Sequence, residues 1–193
     1  MPDLTPRSGL ENVMAVARPA DRAAFSMVLR EDIALANVLV RQDSREDFRK
    51  RVRIAFELDL PNTPHRVESG PVSFAWAGPG HWLAMMQGAR GHAFETQLRK
   101  EFSDLAYVTD QSDGRTIIRI GGPRARDVLA KGAPVDLHPR AFGINDAAVT
   151  VIAHVGVHLW QIDEAPTYEL AVFRSYSAAF WRWLDQASAE FRV

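Results

Sequence analysis

Short apolar runs and helical stripes take turns along this chain. Residues 25–30 (Phe25-Ser26-Met27-Val28-Leu29-Arg30) and 33–40 are apolar runs parted by Glu31-Asp32, which predicts two strands in a hairpin. Ser44-Arg45-Glu46-Asp47 reads as a helix N-cap with an acid at the third helical position, and Phe48, Val52, Ala55 and Phe56 follow at helical spacing. Pro61 and Pro64 end that helix, because a proline disfavours helical backbone at itself and at the residue before it. After a polar loop over 62–70, residues 72–76 and 81–86 read as strands flanking the turn Gly78-Pro79-Gly80. Gly91 opens a second helix with Phe94, Leu98 and Phe102 on its apolar stripe.

The second half follows the same plan. Strands are expected over 105–110 and 116–120, a short helix over 123–130 with Pro123 in its first turn, and three strands over 148–155, 157–162 and 167–173. A last helix follows, with Ser175 as its cap and Phe180, Trp183, Leu184, Ala187 and Phe191 on one stripe. The fold class is therefore α+β, antiparallel sheets covered by helices. Residues 1–22 form an irregular arm with one short apolar anchor at Val13-Met14-Ala15-Val16, suited to lying on a partner. Residues 23–193 form the folded domain, with two similar lobes expected at about 23–104 and 105–193. Ala77-Gly78-Pro79 against Gly121-Gly122-Pro123 hints that the halves are an internal duplication.

Composition narrows the function classes. With 23 Lys and Arg against 24 Asp and Glu in 193 residues, a net charge of −1 supplies no field to draw in nucleic acid or an anionic membrane. The absence of cysteine excludes disulfides, thiolate catalysis and zinc–thiolate or iron–sulfur sites. No secretory signal and no apolar run of membrane-spanning length is visible, so a cytoplasmic location is expected, with no membrane partner.

Candidate chemistry is sparse, and no catalytic, cofactor-binding or metal-binding residue is assigned. Gly121-Gly122-Pro123-Arg124-Ala125-Arg126 lies between a strand and a helix, where a phosphate could sit, but it lacks the glycine spacing and Lys-Ser/Thr pair of nucleotide loops, so a tight turn is the better reading. His154 and His158 would share one face of a strand if Gly156 did not interrupt it, and a metal would need further ligands; Asp163 and Glu164 read as turn residues. His65, His81, His92 and His138 stand in no triad or nucleophile context. Five tryptophans, Trp76, Trp82, Trp160, Trp181 and Trp183, exceed what one small core hides, and aromatic residues are enriched where proteins meet. Trp181 falls off the stripe that buries Trp183, which makes it the candidate interface anchor.

The segments Asp110-Gln111-Ser112-Asp113-Gly114-Arg115-Thr116, Gly121 to Gly132 and Asp136-Leu137-His138-Pro139 resemble the gamma-subunit family of heterotetrameric sarcosine oxidase. The likeness continues in Ala153 to Trp160, in Tyr168 to Tyr176 leading into Phe180-Trp181-Arg182-Trp183-Leu184, and in Trp76 to Leu83. The resemblance implies the fold of the folate-binding domain of the glycine-cleavage T-protein, association with alpha, beta and delta subunits, and no cofactor on this chain. FAD, FMN, NAD and tetrahydrofolate would lie on the other subunits of a complex that oxidatively demethylates sarcosine to glycine. Such a complex yields hydrogen peroxide and formaldehyde or methylenetetrahydrofolate. The family offers no functional residue to transfer onto this subunit. Two rival readings remain: a stand-alone folate-dependent enzyme, with Asp110 and Gly114-Arg115 near its pocket, and a small regulatory module with a vestigial pocket.

Overall fold

The structure is a computed structural model and describes residues 10, 24–89 and 92–191. The expected apolar anchor at 13–16 lies outside the described residues. The elements are β1 (Ser26–Arg30), β2 (Ile33–Val40), α1 (Arg45–Phe56), β3 (Arg66–Ser69), β4 (Val72–Gly78), β5 (His81–Gln87), α2 (His92–Phe102), β6 (Ala106–Asp110), β7 (Arg115–Gly121), α3 (Ala125–Ala130), β8 (Ala147–Ile152), β9 (Val155–Asp163), β10 (Thr167–Phe173) and α4 (Arg174–Ala187). Two five-stranded antiparallel sheets result, ordered β3-β4-β5-β2-β6 and β1-β7-β10-β9-β8.

The sheets stack face to face with helices outside, an α/β/β/α sandwich. On the first sheet the even positions Ala34, Ala36, Val38 and Val40 of β2 face outward onto Phe48, Val52 and Phe56 of α1 and Phe94, Leu98 and Phe102 of α2. Phe48 and Phe102 pack with centroids 4.7 Å apart, within the range aromatic pairs favour. On the second sheet Ile118, Ile120, Leu159, Leu170 and Val172 face Val128 and Leu129 of α3 and Phe180, Trp181 and Leu184 of α4, and Leu10 is buried in the same cluster. Between the sheets Leu35, Leu83, Met85, Ile117, Trp160 and Ala171 form a third core. Because a strand's side chains alternate faces, β2, buried on both, reads as a near-continuous apolar run.

The duplication is real at the level of topology. The order β2-α1-β3-β4-β5-α2, with β6 as edge strand, repeats as β7-α3-β8-β9-β10-α4, with β1 in the edge position: 3-4-5-2-6 maps onto 8-9-10-7-1. The edge strand of the second unit is thus taken from the N-terminal end of the chain. This overturns two expectations. Residues 25–30 and 33–40 form no hairpin, since β1 pairs with β7 and β2 with β5 and β6. The two sheets also do not part at residue 104, because β1 joins the later sheet and β6 the earlier one. The Gly-Pro match that hinted at repetition is off register as well: Gly78-Pro79 turns between β4 and β5, whereas Gly121-Gly122-Pro123 joins β7 to α3.

Both predicted caps differ from expectation. Ser44 precedes α1, but residues Gln42–Ser44 form a 3-10 turn and leave Ser44 at φ −109°, ψ 9°, without the extended backbone a side-chain cap needs, and no cap bond forms. Ser175 lies inside α4, because β10 runs straight into the helix through Phe173. The buried side of α4 carries Ser177, Phe180, Trp181 and Leu184, so Trp181 belongs to the core and Trp183 to its margin. The supposed polar loop over 62–70 contains β3, a four-residue edge strand too short and polar to show a period.

Candidate functional site

The inner faces of the two sheets carry the polar chemistry of the molecule. On the second sheet Glu169 is 3% exposed and collects four donated hydrogen bonds. Its Oε1 accepts from Arg30 Nη1 at 2.8 Å and from Arg119 Nε and Nη2 at 3.0 and 2.7 Å, and its Oε2 accepts from the Trp160 indole at 3.0 Å. Arg30 also holds Asp32 at 2.9 Å, which ties the link between β1 and β2 to the same centre. Charge-assisted bonds of this kind fix geometry when every partner is satisfied.

At one end of the sandwich the inner faces lose their cover. There the register places His81, Leu39 and Tyr107 in a row across β5, β2 and β6. The facing sheet places Arg115 beside Phe173, with Val149 and Val151 on the inner side of edge strand β8. Leu39, Tyr107, Val149, Val151 and Phe173 are 46–60% exposed. They make up five of the nine large hydrophobic side chains exposed among the described residues, a concentration that marks a surface apart from scattered exposure. Arg41 lies over the Tyr107 ring at 5.0 Å and Arg115 over the Phe173 ring at 4.3 Å, in cation–π range.

Behind this apolar rim sits a cluster of cationic and neutral polar side chains. Arg115 and His158 are buried, and among the described residues Arg115 Nε, His158 Nδ1 and Asn37 Oδ1 find no hydrogen-bond partner. Burial pulls the Arg115 guanidinium below its ordinary value, with no carboxylate among the described residues to offset it. His81 is lowered by burial and then by Arg115, and His158 is pushed down to about 4 by burial, then by Arg115 and His81.

The His158 shift predicts a pH dependence. In the unfolded chain this imidazole takes its proton near pH ~6.5, while the folded chain keeps it neutral down to about 4. Between those values the unfolded state binds more protons, so stability falls as pH falls through that window and this contribution levels off below it. Denaturant titrations are expected to show a loss from His158 of about 2 kcal/mol between pH 7.5 and 5. A His158→Gln variant should flatten that slope; an unchanged slope would mean that the imidazole is solvated in the folded chain.

The motifs singled out in the sequence separate in space. His154 and Ala153 form a two-residue turn between β8 and β9 with φ of 67° and 48°, a primed hairpin, so exposed His154 does not share a face with buried His158. Among the described residues no group of three or more His, Asp or Glu could hold a metal ion. The Gly121-Gly122-Pro123 segment is a tight turn in which Gly122 takes φ 104° and its carbonyl accepts from Ala125 N–H. Arg124 pairs with Asp127 and Arg126 donates to the Leu137 carbonyl, so both arginines serve the fold. The Asp110 carboxylate accepts from Ser112 N–H and Oγ–H and faces His92 at 3.1 Å, while Arg115 turns inward onto Phe173. Trp82, Trp160 and Trp181 are buried, against the expectation that Trp181 anchors an interface; Trp76 lines a groove of about 350 Å³ with Arg45 and Arg49. The exposed row on β2, β6, β8 and β10 was the feature that sequence reading missed. Its signal was present in apolar residues at both alternating positions near strand ends.

Among the described residues no helix is long and apolar enough to cross a membrane. Three kinds of similarity bear on identity. The "Sarcosine oxidase, gamma subunit family" matches residues 41–190. Sarcosine oxidase subunit gamma from an Arthrobacter species is 32% identical over 182 residues, covering 92% of this chain and 88% of the relative, and that from Corynebacterium sp. strain P-1 is 37% identical over 60% of this chain and 56% of the relative. Among solved structures, a chain of heterotetrameric sarcosine oxidase from Corynebacterium sp. U-96 superposes with TM-score 0.83 at 25% identity, over 97% of both chains. The aminomethyltransferase T of the Bartonella henselae glycine cleavage system matches with TM-score 0.63 at 13% identity over 84% of this chain and 46% of its own, a likeness of fold alone. With a family match over residues 41–190 and a relative aligned along nearly its whole length, this chain belongs to the sarcosine oxidase gamma subunit family.

Proposed function

We propose that this chain is a non-catalytic structural and assembly subunit of a cytoplasmic heterotetrameric sarcosine oxidase, joined to alpha, beta and delta subunits. The complex would oxidatively demethylate sarcosine to glycine, with FAD, FMN, NAD and tetrahydrofolate held by the other subunits. The observation that carries this reading is the superposition over 97% of both chains on a chain of a heterotetrameric enzyme. Support for placing the chemistry elsewhere comes from the interior. Leu83, Met85, Ile117 and Trp160 fill the space between the sheets, and the buried carboxylate Glu169 is saturated by its own donors. A subunit of this kind acts by burying surface on its partners, and stable assemblies of the obligate type commonly bury more than about 2,000 Å².

The test is co-expression with the large subunits, isolation through a tag on this chain, and measurement of size, flavin absorbance and sarcosine-dependent peroxide release. A large yellow complex that oxidises sarcosine, beside a colourless inactive isolated chain, is the expected result. A chain that ignores those partners, and whose tryptophan fluorescence is quenched by a folate, would overturn it in favour of a stand-alone folate-binding protein.

A further inference from the structure

Two parts of the inner face can be compared. Where the face is closed, the chain supplies its own carboxylate: Glu169 satisfies Arg30, Arg119 and the Trp160 indole. Where it opens, Arg115, His81 and His158 converge with no carboxylate among their electrostatic neighbours in the described residues, and Arg41 adds an exposed cation at the rim. The nearest acids of the β6–β7 turn are engaged elsewhere, Asp110 with Ser112 and His92, and Asp113 with Arg174 at 3.8 Å. Exposed apolar side chains flank the open end: Leu39 and Tyr107 on one sheet, Val149, Val151 and Phe173 on the other.

From this we infer that the open end of the sandwich is the docking surface for a partner subunit of the complex, which inserts a segment bearing apolar side chains beside a carboxylate. The inference rests on the subunit reading above and adds to it where the contact lies and what chemistry meets it. Apolar side chains of the partner would cover Leu39, Tyr107, Val149, Val151 and Phe173. The carboxylate would face the cationic side of the opening, marked by Arg41 and Arg115, as interfaces match opposite potentials across their faces. The apolar side chains and Arg115 are at strand positions held by backbone pairing, and Arg41, just past β2, donates its N–H to the Leu105 carbonyl, so the surface is preformed in the isolated chain.

The experiment introduces acids on the exposed rim, Leu39→Asp and Val151→Asp, reverses the rim cation with Arg41→Glu, and uses Ile54→Asp as control. Ile54 is the most exposed large hydrophobic among the described residues and lies on α1, away from the opening. Each full-length variant is co-expressed with the large subunits, complex recovery is measured by size, and dissociation is followed on dilution; circular dichroism and melting of the free chain check the fold. The expected result is at least a tenfold weaker association for the three rim variants, and association of the Ile54→Asp chain within about twofold of wild type. Rim variants that fold and still assemble within about twofold of wild type overturn the inference while leaving the subunit reading intact. Failure of the wild-type chain to assemble overturns both. A free chain that self-associates through this end, or whose rim is covered by its own residues 1–23 until they are deleted, overturns the partner-subunit assignment.

Discussion

Replacing Glu169 by Ala is expected to lower the stability of this chain by about 3–5 kcal/mol, the usual cost of removing one member of a buried charge network. The carboxylate is 3% exposed and serves three side chains from three different strands, β1, β7 and β9. Without it the Trp160 indole N–H is left in a wholly buried position with no acceptor, and Arg30 keeps only Asp32. Arg119, more than a third exposed, can turn to water and adds little to the loss. Glu169→Gln keeps an acceptor for one or two of these donors and should cost visibly less. The measurement is equilibrium denaturation of the isolated chain, with soluble yield as a coarse check. A loss below about 1 kcal/mol for Glu169→Ala would show that water reaches the network and solvates its donors.

Glu169 sits in Tyr168-Glu169-Leu170-Ala171, an apolar strand in which one acid looks like a solvent-facing position. Only the stacking of two sheets turns that face inward, and only the pairing of β1 with β7 brings Arg30 within reach across 139 residues of sequence. Local patterns, by contrast, transferred well. The periods that predicted α1, α2, the β4–β5 pair and β10 recover those elements, because each is set by neighbours a few residues away. What failed was pairing between distant segments. Two apolar strands in succession over residues 25 to 40 predict a hairpin, yet one completes the edge of the second unit and the other lies inside the first. The Gly-Pro match that hints at a duplication is off register, and the true repeat shows in strand order. The open end was hidden for a related reason: an apolar residue on a strand carries no mark of whether a second sheet covers it.

The second large effect concerns Trp181. Truncation to Ala is expected to destabilise the folded chain by about 3–5 kcal/mol, the range for removing a large buried aromatic side chain. Trp181 is 2% exposed, one of the largest buried side chains, packed with Phe180 and Leu184 in the cluster between α4 and the second sheet. The sequence pattern of α4 places Trp183 on the apolar stripe and Trp181 outside it; the helix turns its Ser177-Phe180-Trp181-Leu184 side inward instead, with Trp183 stacked on Phe180 at the margin, centroids 5.6 Å apart. Two large aromatics at positions 181 and 183 cannot both point into one core, since residues two apart on a helix lie on different sides. The competing assignments therefore make opposite forecasts for one pair of variants. In thermal and denaturant unfolding of the isolated chain, Trp181→Ala should lose much more stability than Trp183→Ala, and any loss of assembly should follow from the loss of fold. If Trp181→Ala melts like wild type yet fails to enter the complex, the helix is turned the other way and Trp181 is an interface residue after all.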